Sequence, residues 1–190
     1  MKVGLFFGSF NPVHNGHLII ANHLLNHTDL DKIWFIVSPQ NPFKEAAGLL
    51  NEYHRLQLLK LATEDDNRIK VSDIEFTLPR PSYTSATLVR LEEKYPEHEF
   101  CLVMGSDSFQ NLDRWKNYEA IVNHHEIFIY RRPGFDVDNR IQARIVVVDA
   151  PLLQISATEI RELVKQKKSI RYLVPDKTRE EIERGGYYRK

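Results

Sequence analysis

Residues Gly8-Ser-Phe-Asn-Pro-Val-His-Asn-Gly-His17 follow directly on the apolar run Val3 to Phe7 and lead into Leu18-Ile-Ile-Ala-Asn-His-Leu-Leu25. A short apolar run flanked by turn residues reads as a buried strand, and the segment after His17 switches to a helical period. The stretch is therefore strand, loop and helix. Gly8 and Gly16 permit close backbone approach and positive φ, and Pro12 stiffens the turn between them. The start of the helix offers free backbone N–H groups and the positive end of its dipole. His14 and His17 add ring donors that can become cationic. Every one of these groups suits an anion. The plainer alternative is ordinary turn chemistry with a capping histidine. Zinc fits poorly, because no Cys or carboxylate stands at ligand spacing near His14-x-x-His17. His23 and His27, four apart, read as a solvated helix face.

A second motif lies toward the other end of the chain, Ile155-Ser-Ala-Thr-Glu-Ile-Arg161. Ser156 followed by Glu159 is a capping box, which predicts a helix from Ser156 through about Lys167. On that helix Ile160, Leu163 and Val164 share one face. Thr158 and Arg161, three apart, share the adjoining flank and offer a hydroxyl and a guanidinium to phosphate oxygens. Taken alone, the capping box is equally consistent with a purely structural helix start.

Between the two motifs, runs rich in β-branched and aromatic residues occur at Val3–Phe7, Ile33–Val37, Ile69–Ile74, Phe100–Met104, Ile127–Tyr130 and Ile145–Val148. Helical stretches are expected near 17–26, 52–65, 82–94, 115–123 and 157–167, and a charged helix after Pro175. This alternation predicts an α/β chain with parallel strands, crossover helices and ligands at the carboxyl ends of the strands. The 190 residues, 42% of them hydrophobic, suffice for one core, and no linker or low-complexity tract divides them, so one domain over 1–190 is expected. The 26 basic and 26 acidic residues cancel, which argues against a general nucleic-acid or anionic-membrane surface. Cys101, alone in an apolar run, reads as core and excludes an internal disulfide. No run reaches membrane-spanning length and no signal-peptide pattern is present, so a soluble, cytoplasmic protein is expected. A homo-oligomer stays open.

The first motif resembles the His-x-Gly-His signature of the HIGH-type nucleotidyltransferases, and the second resembles their Ile-Ser-Ser/Ala-Thr-x-x-Arg element, which binds the triphosphate tail. Within that superfamily, Arg80-Pro-Ser-Tyr-Thr-Ser, Met104-Gly-Ser-Asp-Ser, Trp115 with Tyr118, Arg131-Arg-Pro-Gly and the tail Ser169-Ile-Arg-Tyr-Leu-Val-Pro resemble, in order, elements of the bacterial nicotinate-nucleotide adenylyltransferases. The resemblance spans nearly the whole chain. It implies a Rossmann-like doubly wound fold that includes the C-terminal piece at about 169–190. It also implies transfer of an adenylyl group from ATP to nicotinate mononucleotide, with Mg²⁺ carried by ATP rather than by dedicated protein ligands.

Residue by residue, the resemblance puts Gly8, Ser9, Phe10, His14, His17, Gly105, Asp107, Ser156, Thr158 and Arg161 around ATP. His17, His14 and Lys44 would act on the reacting phosphates. Lys44, Arg55, Tyr83, Thr84, Trp115 and Arg132 would take the mononucleotide. Several of these admit a second reading. Trp115 offers a flat face to a pyridine ring or is a core aromatic. Asp107 meets a ribose hydroxyl or a Mg²⁺-bound water, or caps a helix. Arg55 anchors a phosphate or pairs with a surface carboxylate. Pro39-Gln-Asn-Pro-Phe-Lys44 departs from the family's Pro-Pro-His-Arg/Lys stretch while keeping its charge. Asn11 stands where Asp is commoner, and Ala157 where Ser is commoner. Phosphopantetheine adenylyltransferase shares the first motif but usually has Thr at the place of His14. A nucleotide sensor without turnover would show erosion at one motif, and both are complete.

Overall fold

A computed structural model describes residues 1–40 and 48–189. Six strands, β1 (Lys2–Gly8), β2 (Lys32–Val37), β3 (Ile69–Ser72), β4 (Glu99–Gly105), β5 (Ile127–Tyr130) and β6 (Ile145–Val148), form one sheet in the order β3-β2-β1-β4-β5-β6. Every pairing is parallel. Seven helices among the described residues accompany it: α1 (Asn15–His27), α2 (Glu52–Thr63), α3 (Thr84–Lys94), α4 (Ser106–Phe109), α5 (Tyr118–His124), α6 (Ala157–Lys165) and α7 (Asp176–Gly185). This is the parallel α/β sheet that the alternation of runs predicts, in the doubly wound, Rossmann-like arrangement that the family resemblance implies.

Side chains alternate between the two faces along each strand, and both faces are buried. Phe6, Ile33, Phe35, Val103 and Phe128 join Ile20, Leu24, Leu58, Leu59, Ile160 and Ile182 of α1, α2, α6 and α7 on one face. Val3, Leu5, Trp34, Ile36, Leu102 and Ile129 join Leu88, Leu91 and Ile121 of α3 and α5 on the other. Burial on both faces is why these strands read as unbroken apolar runs. Each fully covered aliphatic side chain contributes roughly 1.5–3 kcal/mol.

Three element boundaries differ from expectation. The third strand stops at Ser72, where its ladder with β2 ends, and the chain turns through a 3₁₀ segment at Ile74–Thr77 that carries Glu75 inward. The helix expected from 115 begins only at Tyr118, because Trp115 closes a 3₁₀ turn at Leu112–Arg114 and Asn117 is left-handed at φ 56°. Helix α6 ends at Lys165, and Lys167, at φ 56°, turns the chain away.

The strand order places a switch point between β1 and β4. From β1 the chain moves outward to β2 and β3, then crosses back to β4 and continues the opposite way through β5 and β6. A crevice therefore opens beyond Gly8 and Gly105, as in other open α/β sheets. The tail buttresses one of its walls: Asn15 donates from its backbone to Leu173 O (2.9 Å) and from its side chain to Tyr172 O (2.7 Å). Among the described residues no helix is long and apolar enough to cross a membrane.

Candidate functional site

The crevice is a cavity of about 590 Å³. Of the site residues that the resemblance assigns to ATP, the reacting phosphates and the mononucleotide, all except Lys44 and Arg55 line it. Lys44 lies outside the described residues.

The loop after β1 builds one wall. The left-handed residue here is Phe10, at φ 45°, rather than Gly8 or Gly16. Its ring turns back into the core against Phe6 and Phe35 and lies under Gly8, where a Cβ would stand 2.7 Å from Phe10 Cζ. Gly8 is thus required by close approach. A Cβ on Gly16 would stand 3.0 Å from His14 Nδ1, so this glycine makes room for the histidine ring. The edge of Phe10 in turn supports His17, with ring centroids 5.1 Å apart.

His14 and His17 are stacked, centroids 3.7 Å apart. The backbone N–H of His14 donates to His17 Nδ1 at 3.2 Å. A ring nitrogen that accepts carries no proton, so the proton of neutral His17 sits on Nε2, which is thereby a donor. His14 is buried, and its Nδ1 has no partner among the described residues. Burial first, and then the nearby charge of Arg132, push its pKa from 6.5 down to about 4. The expectation that His14 can become cationic is corrected accordingly: near neutral pH it is an uncharged ring.

Helix α6 brings the second motif to the first. Ser156 caps it by accepting the Glu159 N–H at 3.1 Å. Arg161 donates through Nη2 to Thr158 Oγ1 (3.2 Å) and through Nη1 to the carbonyl of Asn11 (2.7 Å), 150 residues earlier in the chain. The side chain of Asn11 donates to Gly48 O (3.0 Å) and accepts from Leu50 N (3.1 Å). That double role needs an amide, because an ionised Asp has no proton for Gly48, and this explains the departure at position 11.

Arg55 neither lines the cavity nor pairs with a carboxylate among the described residues. It is fully buried, and its guanidinium donates to four main-chain carbonyls: Leu50 (2.7 Å), Ser9 (2.6 Å), Ser38 (2.8 Å) and Pro39 (3.0 Å). Burial pulls its pKa down from the usual arginine range. Arg55 holds the loop after β1 against the end of β2 and lies off the cavity lining.

The opposite wall comes from β4, β5 and α3. Asp107 forms an ion pair with Arg132 at 2.8 Å, and the helix cap is Gly105, so Asp107 is not the cap. Trp115 fits both of its readings, packing in part on the core while lining the cavity. Tyr83 and Thr84 stand at the start of α3. Beneath them lies Glu75, a residue that sequence reasoning passed over. It is 2% exposed and accepts from Ser82 Oγ (2.7 Å) and Thr87 Oγ1 (2.8 Å), hydroxyls that flank Tyr83 and Thr84. Burial raises its pKa. The available signal was a lone acid inside the apolar stretch Ile74-Glu-Phe76.

With this geometry in place, comparison with known proteins is informative. The profile of the cytidylyltransferase-like family matches residues 5–163. A protein of Flavobacterium johnsoniae named probable nicotinate-nucleotide adenylyltransferase is 49% identical, with 100% of each chain covered. One of the same name from Cytophaga hutchinsonii is 50% identical over 99% of this chain and 98% of its own. Among solved structures, the nicotinic acid mononucleotide adenylyltransferase of Plasmodium falciparum, complexed with NaAD, superposes with a TM-score of 0.82. That match covers 98% of this chain and 97% of the other at 20% identity, a likeness of fold.

Proposed function

Since the chain belongs to the cytidylyltransferase-like family, among the nicotinate-nucleotide adenylyltransferases, we propose that it transfers the adenylyl group of ATP to nicotinate mononucleotide, giving nicotinate adenine dinucleotide and pyrophosphate. The observation that carries this reading is the bond from Arg161 to Asn11 O at 2.7 Å, which ties the two phosphate-type motifs into one cavity. The acceptor's 5′-phosphate oxygen is already ionised and needs no general base. It attacks the α-phosphorus in line, the bond to the bridging oxygen breaks, and pyrophosphate leaves with that electron pair. Catalysis then rests on positioning and on donors aimed at developing charge.

His17 Nε2–H is the donor to the α-phosphate oxygens. Ser156, Thr158 and Arg161, at the start of α6, hold the triphosphate tail, and neutral His14 backs His17. Lys44, by the family resemblance, would add a charge to the reacting phosphates. Gly8, Ser9 and Gly105 bring main chain close to the nucleotide. Arg132, held by Asp107 on the opposite wall, faces the cavity near enough to His14 to act on its charge, and Trp115, Tyr83 and Thr84 receive the pyridine nucleotide. A divalent cation, Mg²⁺ in our reading, would come bound to ATP rather than to protein ligands, and would supply neutralisation of phosphate charge. The free face of Asp107 suits a water or a ribose hydroxyl. We place the reaction in the cytoplasm.

The test is pyrophosphate release from ATP with nicotinate mononucleotide, nicotinamide mononucleotide and phosphopantetheine offered separately. Release with the first, together with nicotinate adenine dinucleotide, is expected. Release only with phosphopantetheine would replace this reading, and release with none would point to a sensor. His17→Ala should lower turnover about 10²-fold with an unchanged far-UV spectrum, and near-normal turnover would remove His17 from the mechanism.

A further inference from the structure

We infer that Lys116 is the residue that makes the acceptor end of the cavity select a pyridine carboxylate over the neutral amide. The inference rests on the function proposed above and deepens it.

Three cationic side chains among the described residues line the cavity: Lys116, Arg132 and Arg161. Two of them are committed, Arg132 to Asp107 at 2.8 Å and Arg161 to Asn11 O and Thr158. The Lys116 ammonium makes no ion pair or hydrogen bond among the described residues. Its Nζ stands 4.5 Å from the centre of the Tyr83 ring. Lys116 follows Trp115 and Tyr83 precedes Thr84, so the contact joins two separate segments of the same cavity wall. The contact thus holds a positive charge across the mouth of the space between Trp115 and the start of α3, and the π face of Tyr83 steadies it there.

Nicotinate and nicotinamide have nearly the same shape and differ by one charge. Main-chain N–H groups donate to the oxygen of either with similar ease, whereas a full cation distinguishes them. A cation is all the more needed because Glu75 lies under this end of the cavity. Its oxygens are turned to Ser82 and Thr87, yet any charge it carries opposes an acidic ligand.

The experiment compares kcat/KM for nicotinate mononucleotide and nicotinamide mononucleotide, at saturating ATP, in the full chain and in Lys116→Gln and Lys116→Arg. Lys116→Gln should lower the acid-over-amide ratio about tenfold, mainly through a higher KM for the acid, with Lys116→Arg restoring most of it. An unchanged ratio, or an equal rise in both KM values, would overturn the proposal and leave Lys116 as packing at the mouth. If the unsubstituted chain turns over neither acceptor, the functional reading fails by itself. Titration of the tryptophan fluorescence, to which Trp115 at the cavity contributes alongside Trp34, with the two mononucleotides then still decides: equal affinities, or a preference that survives Lys116→Gln, would overturn the role of Lys116.

Discussion

At the scale of single residues, the site depends on two side chains whose burial decides their chemistry. Arg55 places its charge among four carbonyls from the first loop, the end of β2 and the entry to α2. A lysine keeps the charge but cannot fork, so Arg55→Lys should cost about 2–4 kcal/mol in urea unfolding by leaving buried carbonyls unpaired. A raised KM for the acceptor with stability untouched would instead make Arg55 a ligand. His14 links stability to pH. Its pKa is about 4 when folded against 6.5 ordinarily, so between these values the unfolded chain takes up a proton that the folded chain refuses. Stability from this group is fully present above pH 6.5 and falls as the pH drops toward 4, by about 3 kcal/mol in total. His14→Gln lacks that proton and should lose correspondingly less stability between pH 7 and pH 4.5. Glu75 titrates with the opposite sign, but it is common to both proteins. Parallel pH profiles would show that His14 is not buried as a neutral ring.

At the scale of elements, the short turn at Ile74–Thr77 governs a helix it never touches in sequence. Glu75 fixes the hydroxyls of Ser82 and Thr87 on either side of the first residues of α3, the end of the helix that lines the cavity and, in the proposed function, receives the acceptor. Glu75→Ala should therefore raise the acceptor's KM about tenfold, the 1.4 kcal/mol of one lost buried hydrogen bond, while the KM for ATP stays within about twofold. Glu75→Gln, which still accepts hydrogen bonds, should do less. An equal rise in both KM values would reduce Glu75 to a general stabiliser. The contrast between Glu75 and the motifs shows what a sequence can carry. The six strands were legible because burial on both faces writes continuous apolar runs, and the two phosphate-type motifs because each is a local pattern of cap, turn and helix. The ends of β3 and α5 were not, since they are set by where the β2 ladder stops and by the left-handed Asn117. Nor was Arg55, whose partners are main-chain carbonyls of residues 9, 38, 39 and 50: a ring of carbonyls leaves no residue-type signal. Tertiary contact decides such cases, and local sequence does not encode it.

At the scale of the whole molecule, the question is whether the C-terminal segment is part of the enzyme's single folded unit or an appendage. Helix α7 lies on α2 through Thr178, which is fully buried and donates to Leu58 O at 3.3 Å, and through Ile182, 1% exposed in the core that also contains Phe6, Phe35 and Phe128. Helix α2 carries Arg55, and Arg55 holds the loop after β1. Packing at the far end of the chain therefore reaches the active-site loop by a short physical route: α7 to α2, α2 to Arg55, Arg55 to Ser9. One cooperative unit over 1–190 follows as a proposal. Ile182→Ala should cost about 2–5 kcal/mol, as for other fully buried aliphatic side chains. Its unfolding should remain a single transition whose far-UV circular dichroism and tryptophan fluorescence curves coincide. The fluorescence samples Trp34, buried against one face of the sheet, and Trp115, at the cavity. An early transition confined to part of the ellipticity, with tryptophan emission unchanged until later, would show that α7 detaches on its own and that the site does not depend on it.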